Sequence, residues 1–149
     1  MMIRWLVAFL HLIALPIGFA AVIVRGSALR GRLDKPRLDR VFRADSFWGL
    51  AAVLWISTGV ARAFFGLEKG TTYYLTSTAF WAKMAFLLGI LVLEVGPMSA
   101  LIGWRRKNRR GETFDTSRAS ALSRISFIQA GLVVLMVIAA TAMARGLFH

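Results

Sequence analysis

Hydrophobic and polar positions alternate along this chain in long blocks. Apolar runs extend over Ile3–Val24, Phe47–Phe65, Phe80–Leu101 and Ile125–Ala144. Each is close to the ~20 residues that a helix rising ~1.5 Å per residue needs to cross the hydrocarbon of a bilayer. The segments between them are short and polar. The pattern predicts an all-α integral membrane protein, a four-helix transmembrane bundle built as a single domain over residues 1–149. The third run has the most to explain, because it contains Lys83 and Glu94. Ionisable groups inside a span are expensive and need a partner or a wet cavity. Positions 83, 87, 90 and 94 fall on one helical face, so any chemistry is expected to face that stripe.

Local signals refine the boundaries. Asp34 with Pro36 behind it predicts a helix start, and Leu38, Val41 and Phe42 continue an apolar stripe, so the second helix is expected to begin near Pro36 at the interface. The second run is rich in small residues (Gly49, Ala51, Ala52, Ser57, Gly59, Ala61 and Ala63), which let membrane helices approach closely. Ala52, Trp55, Gly59 and Arg62 share one of its faces. Gly66–Ala79 reads as a short loop carrying Glu68 and Lys69, with Tyr73 and Tyr74 in an interfacial aromatic belt and Thr78 as the cap of the next helix. The third span is expected to bend or loosen at Gly96-Pro97, and Asp115 or Thr116 to cap the fourth helix.

Charge adds an orientation. The chain has 149 residues, 58% of them hydrophobic, no cysteine, and a net charge of +12 from 19 basic and 7 acidic residues. The absence of cysteine excludes disulfides, thiolate ligands and cysteine nucleophiles. In a soluble protein such a charge would suggest nucleic acid. Here the segments Arg25–Asp45 and Gly103–Arg124 carry seven basic residues each, the pattern of cytoplasmic loops facing anionic lipid, so no nucleic-acid partner is expected. The positive-inside rule then puts both termini in the periplasm of a bacterial inner membrane. The first run has only Arg4 before it and a loose Ala20-Ala21 cleavage site, and it is read as a retained helix rather than a signal peptide. Trp5 and Trp81 at one boundary and Trp48 and Trp104 at the other support the same topology, with Trp55 alone at mid-bilayer.

Depth along each helix groups the remaining polar residues. His11 lies ~12 Å in from the outer boundary and Lys83 ~5 Å, with Arg62 matching Lys83, while Glu94 lies ~21 Å in, nearer the cytoplasmic side. The outer half thus holds a candidate His11, Arg62, Lys83 cluster. The inner half holds Glu94 with Asp45 and a basic residue such as Arg43 or Arg25 at its rim. Gln129, Ser57 or water on the carbonyl freed by Pro97 are the expected partners of Glu94. Pro16 likewise frees the Leu12 carbonyl beside His11. Plainer readings stand next to these. Arg62 and Lys83 snorkel to headgroups, His11 satisfies an interhelical hydrogen bond, the prolines merely kink their helices, and the six methionines pack.

Several segments together resemble a known family: LHLIAL in the first helix, RADSFWGLAAVLWISTGVARAFF in the second, EKGTTYYLTSTAFWAKMAFLL leading into the third, and the Gly96-Pro97 pair. They resemble the DUF2214 family of bacterial four-helix predicted membrane proteins, a domain of unknown function. That resemblance spans helices 1 to 3 and implies the architecture without a reaction. A looser similarity, over the first helix and the start of the third, is to the copper-resistance D proteins and to the haem-binding type of bacterial protoporphyrinogen oxidase. In the oxidase group a helix 1 histidine and a helix 3 lysine form the functional pair, which His11 and Lys83 would match. This chain has Trp81-Ala82-Lys83, with no histidine near the lysine.

Two functions follow as expectations. One is a haem b or porphyrin site with a redox role, His11 giving the axial ligand to the iron and Arg62 and Lys83 pairing with propionates. No second intramembrane histidine exists, which leaves methionine, a second protomer or nothing as the sixth ligand. The alternative is a non-enzymatic accessory or scaffold subunit, packed against a partner membrane protein or a second copy of itself. Proton or ion movement along Glu94, Lys83 and His11 ranks last, since four short helices leave little room for a pore.

Overall fold

In a computed structural model that describes residues 1–65 and 71–147, the chain is helical almost throughout and has no strand among those residues. The expected features at Glu68, Lys69 and His149 lie outside the described residues. The helices are α1 (Met2–Ala28), α2 (Lys35–Phe64), the short α3 (Thr71–Thr76), α4 (Thr78–Arg109) and α5 (Ala119–Ala144). Four of them are long and apolar enough to cross a membrane. All four start or end beyond the apolar runs, because polar residues at an interface continue a helix as readily as apolar ones. That extension matters at α1, which carries Arg25, the residue directly after the apolar run, into the interior.

The caps follow local chemistry. Asp34 accepts the Arg37 amide at 3.0 Å, with Pro36 in the first turn, as expected for α2. At α4 the cap is Ser77, one residue before the expected Thr78; it is buried and accepts the Phe80 amide at 3.3 Å. Asp115 and Thr116 do not cap α5. The Asp115 carboxylate instead closes its own turn on the Ser117 amide and hydroxyl, both at 2.9 Å, and those two bonds hold its pKa below the usual carboxylate range. α4 and α5 both end in Schellman motifs, where a left-handed backbone is required and glycine supplies it. At Gly111 (φ 70°) the Glu112 amide reaches the Lys107 carbonyl, and at Gly146 (φ 69°) the Leu147 amide reaches the Ala142 carbonyl. α4 runs unbroken through Pro97.

The four long helices form an antiparallel bundle with the start of α1 and the end of α5 at one end, the terminal end, and the basic loops at the other. α1 is central. It packs closely on α2 and on α5, α5 packs on α4, and α2 faces α4 mainly through long side chains. Small residues set the close approaches. A Cβ on Gly18 would sit 3.3 Å from that of Ala51, and one on Gly26 would meet Phe127 at 3.1 Å. Three apolar clusters lie along the axis: Leu29, Val41, Leu101 and Leu122 at the basic-loop end, Val22, Ile90, Val133 and Met136 in the middle, and Ala63, Tyr74 and Phe80 at the terminal end.

Two expectations about aromatics are corrected. Trp48 and Trp104 do not face outward as belt residues do; both are buried, Trp104 stacked on Phe114 and Trp48 turned inward toward Glu94. Tyr74 is also buried, and Tyr73 donates its hydroxyl to the Met143 carbonyl at 2.9 Å, tying α3 to the end of α5. A buried indole or phenol usually finds a hydrogen-bond partner, as Trp48 does in Glu94. Trp5 and Trp81 remain exposed, as expected.

Candidate functional site

A cavity of about 460 Å³ opens inside the terminal half of the bundle. Every helix contributes to its walls: His11 and Leu15 from α1, Trp55, Gly59 and Arg62 from α2, Tyr73 and Tyr74 from α3, Lys83 and Met84 from α4, Met136 and Met143 from α5. His11, Arg62 and Lys83, grouped from the sequence by depth alone, therefore line one space. No Asp or Glu is among its lining residues within the described parts of the chain.

His11 is fixed in position and tautomer. Its Nδ1 lies 3.1 Å from the Trp55 carbonyl and 2.9 Å from the Thr58 hydroxyl. A carbonyl only accepts, and Thr58 already donates to the Leu54 carbonyl at 2.7 Å, so Nδ1 carries the proton and donates. The lone pair of the neutral ring is thereby left on Nε2, which has no hydrogen-bond partner among the described residues. The ring is further held by stacking on Trp55, centroids 4.7 Å apart, and by close approach to Gly59, where a Cβ would come within 3.2 Å of Cε1. Lys83 does not reach outward to headgroups. Its Nζ lies 4.7 Å from the centre of the Trp55 ring, and no carboxylate pairs with it among the described residues. A neutral imidazole with one bare nitrogen, an ammonium held on an aromatic face and a second cation at Arg62 suit an anionic, partly aromatic ligand.

The second polar group, toward the basic-loop end, is a different object. Arg25 is completely buried. Its five N–H donors meet five acceptors. Nε donates to Ser126 Oγ at 3.0 Å, and Nη1 to Asp45 Oδ1 at 2.9 Å and Glu94 Oε1 at 2.8 Å. Nη2 donates to Glu94 Oε2 at 3.3 Å and Gln129 Oε1 at 2.6 Å. Glu94 Oε2 accepts in addition from Trp48 Nε1 and Gln129 Nε2, both at 2.9 Å. Arg105 closes the network by donating to Asp45 Oδ2 at 3.1 Å. Two cations and two carboxylates thus cancel, and all four long helices are joined. A buried guanidinium with every donor used and its charge matched is a structural tie, with nothing left to offer a ligand.

Glu94 therefore faces the interior and bonds Gln129, as the sequence predicts. The other expected contacts are corrected. Ser57 is exposed, and no side chain among the described residues donates to the carbonyls of Leu12 or Leu93, next to Pro16 and Pro97. The cation beside Glu94 and Asp45 is Arg25, at the centre rather than the rim, while Arg43 is exposed.

Of the two residues that orient the sites, sequence reasoning names Arg25 only as a rim candidate and does not find Thr58. By position Arg25 opens the basic loop, which puts it at the rim rather than at the centre of the network. The signal lay in the stripe His11, Ala14, Gly18, Ala21, Arg25, which keeps helical spacing, is small in its middle, and is buried throughout. Thr58 stands one turn before Arg62 and fixes His11, but a lone threonine at mid-helix gives no sign of what it will accept.

No curated protein and no solved structure matches the chain. The family model described as Predicted membrane protein (DUF2214) matches residues 3–147, nearly the whole chain, and the protein belongs to that family.

Proposed function

We propose that this protein binds haem or a porphyrin in the cavity of its terminal half, in a redox role. One observation carries the reading: the Trp55 carbonyl and Thr58 commit the Nδ1 proton of His11 and leave its Nε2 bare at a cavity wall. Metal-ligating histidines have this arrangement, in which the second nitrogen donates to a carbonyl and raises the basicity of the first. The residues present fit the group. The cavity lies within the ~300–1,000 Å³ usual for cofactor sites, its walls are mostly apolar and aromatic, and Lys83 and Arg62 suit propionates. Met84, Met136 and Met143 bring thioethers to the same walls, the second ligand type that pairs with histidine in electron-transfer haems. Bound there, the tetrapyrrole would supply one-electron chemistry, while the chain orients it and excludes water.

The location follows from the loops. Both termini face the periplasm of a bacterial inner membrane, with the two basic segments against anionic lipid in the cytoplasm. A periplasm-active reporter fused after Leu147 supports this; one active only in the cytoplasm overturns it. Less favours an accessory or scaffold subunit. The small residues of α2 that would serve a partner are largely used within the bundle, Ala51 against Gly18, Gly59 against His11, and Ala63 in a buried cluster.

The test is the absorption spectrum of the protein extracted in mild detergent from cells supplied with a haem precursor. A Soret band that His11→Ala removes or shifts supports the reading. A folded, colourless protein that also fails to take up added ferric protoporphyrin overturns it.

A further inference from the structure

A second concave feature, remote from the cavity, lies at the basic-loop end between α2 and α4. It is a groove of about 320 Å³ lined by Phe42, Arg43, Ser46, Arg105, Asn108 and Arg109. It sits where these two helices meet through side chains rather than close backbone approach. Arg105 is held rigidly in its wall. One of its nitrogens, Nη2, donates to the Phe42 carbonyl at 2.6 Å, to Asp45 and to Ser46 Oγ at 3.1 Å, and its guanidinium lies 5.4 Å from the centre of the Phe42 ring. Its Nη1 takes no part in these bonds.

Arg43 and Arg109 are exposed and make no hydrogen bond or ion pair among the described residues. The acidic groups of the neighbourhood do not neutralise them. Asp45 has both oxygens taken by Arg25 and Arg105, and Asp39, one turn before Arg43, is exposed and forms no described pair. Three arginines thus converge on a groove with an amide and a hydroxyl beside them and no free carboxylate in its lining.

What adjoins the groove identifies its occupant. On α4, Met98, Ile102, Arg105 and Arg109 recur at helical spacing on one face, and on α2 Phe47 follows Arg43 by one turn. Met98, Ile102 and Phe47 are about half exposed, at 50%, 52% and 51%. The groove is therefore cationic at its head and continues, one to two turns deeper, into an open apolar track. A soluble anion would use only the head. A molecule with a phosphate and long acyl chains uses both.

We propose that this groove binds one anionic phospholipid, its phosphate between Arg43, Arg105 and Arg109 and its chains along Phe47, Met98 and Ile102. Planar guanidinium groups suit phosphate oxygens, and charge-assisted bonds near the membrane surface are stronger than those in open water. The site is distinct from a general attraction of basic loops for anionic surfaces, because it depends on three positions rather than on net charge.

The experiment is native mass spectrometry of the full chain in neutral detergent, titrated with phosphatidylglycerol or phosphatidylcholine. The wild type is expected to retain one phosphatidylglycerol in preference to phosphatidylcholine. The double variant Arg43→Gln/Arg109→Gln is expected to lose about tenfold or more of that preference. Arg106→Gln/Arg110→Gln, which removes the same charge from exposed positions outside the groove, is expected to keep it. Both pairs are exposed, so unchanged helicity and melting confirm folding; Arg109→Gln alone serves if the double variant does not fold. Equal losses in the two double variants would overturn the proposal in favour of diffuse electrostatics. Displacement of the lipid by millimolar inorganic phosphate would overturn it in favour of a free oxyanion.

Discussion

The two polar regions of the bundle hang on the same face of α1, His11 at one and Arg25 at the other, fourteen residues or ~21 Å apart. Both bury groups that a membrane interior disfavours, and they treat them in opposite ways. Every donor of Arg25 has an acceptor and the charges cancel. Of the network's buried side-chain atoms, only Nε of Arg105, at its edge, is left without a partner among the described residues. Around His11 the neutral ring keeps a bare nitrogen, Lys83 leans on an aromatic face, and the space between is a cavity. A saturated network ties helices together. An unsaturated one lining a cavity has capacity to bind.

The comparison breaks first at Arg25. Arg25→Leu should leave Glu94 and Asp45 buried without their central cation and destabilise the protein by about 3–5 kcal/mol, read as a fall in melting temperature in detergent. A loss under about 1 kcal/mol would mean the network is not what joins the helices. Glu94 grades the same point. Glu94→Gln keeps hydrogen bonds to Gln129 and Trp48 but loses the charge facing Arg25, for a cost of about 1–3 kcal/mol. Glu94→Leu should cost more, about 3–5 kcal/mol, because Arg25 is then left half-matched. Equal melting temperatures for the two would contradict the account.

Lys83 is the contrasting position. Lys83→Met removes a cation that has no carboxylate partner among the described residues, so stability should change by less than about 1 kcal/mol or rise slightly. Porphyrin affinity should fall about tenfold with loss of a propionate partner. A strong destabilisation without any change in binding would make Lys83 structural. The smallest effect belongs to Gly59→Ala. The new methyl meets the His11 ring at 3.2 Å, so the ring must tilt by a few tenths of an ångström. Stability should drop by about 1 kcal/mol at most, while the ligand-field spectrum of a bound haem shifts.

Much of this arrangement was legible beforehand, for reasons that differ by residue. Runs of apolar residues fix helices in a membrane because every backbone group must be satisfied within the segment, and that constraint is read directly from the sequence. Depth along a helix then grouped His11, Arg62 and Lys83, and directed Glu94 inward to Gln129. What hydropathy cannot see is a charged residue that continues a helix past its apolar run. Arg25 lies there, and its burial depends on partners from α2, α4 and α5 brought together only by folding. The tryptophans misled for a related reason: Trp48 has the right depth for an interface, but Glu94 offers its indole a better partner inside. The state of the His11 ring was invisible too, since it is set by a backbone carbonyl of another helix.

The measurement that tests the contrast most directly is a titration with ferric protoporphyrin, followed in the Soret region, for the wild type and His11→Ala with and without imidazole. The account predicts one-to-one binding by the wild type, a weakened and spectrally shifted complex for His11→Ala, and recovery of the wild-type spectrum when imidazole fills the space the side chain left. Absence of binding by the wild type, or a His11→Ala complex identical to it, would contradict the claim that the bare nitrogen of His11 makes this cavity a site.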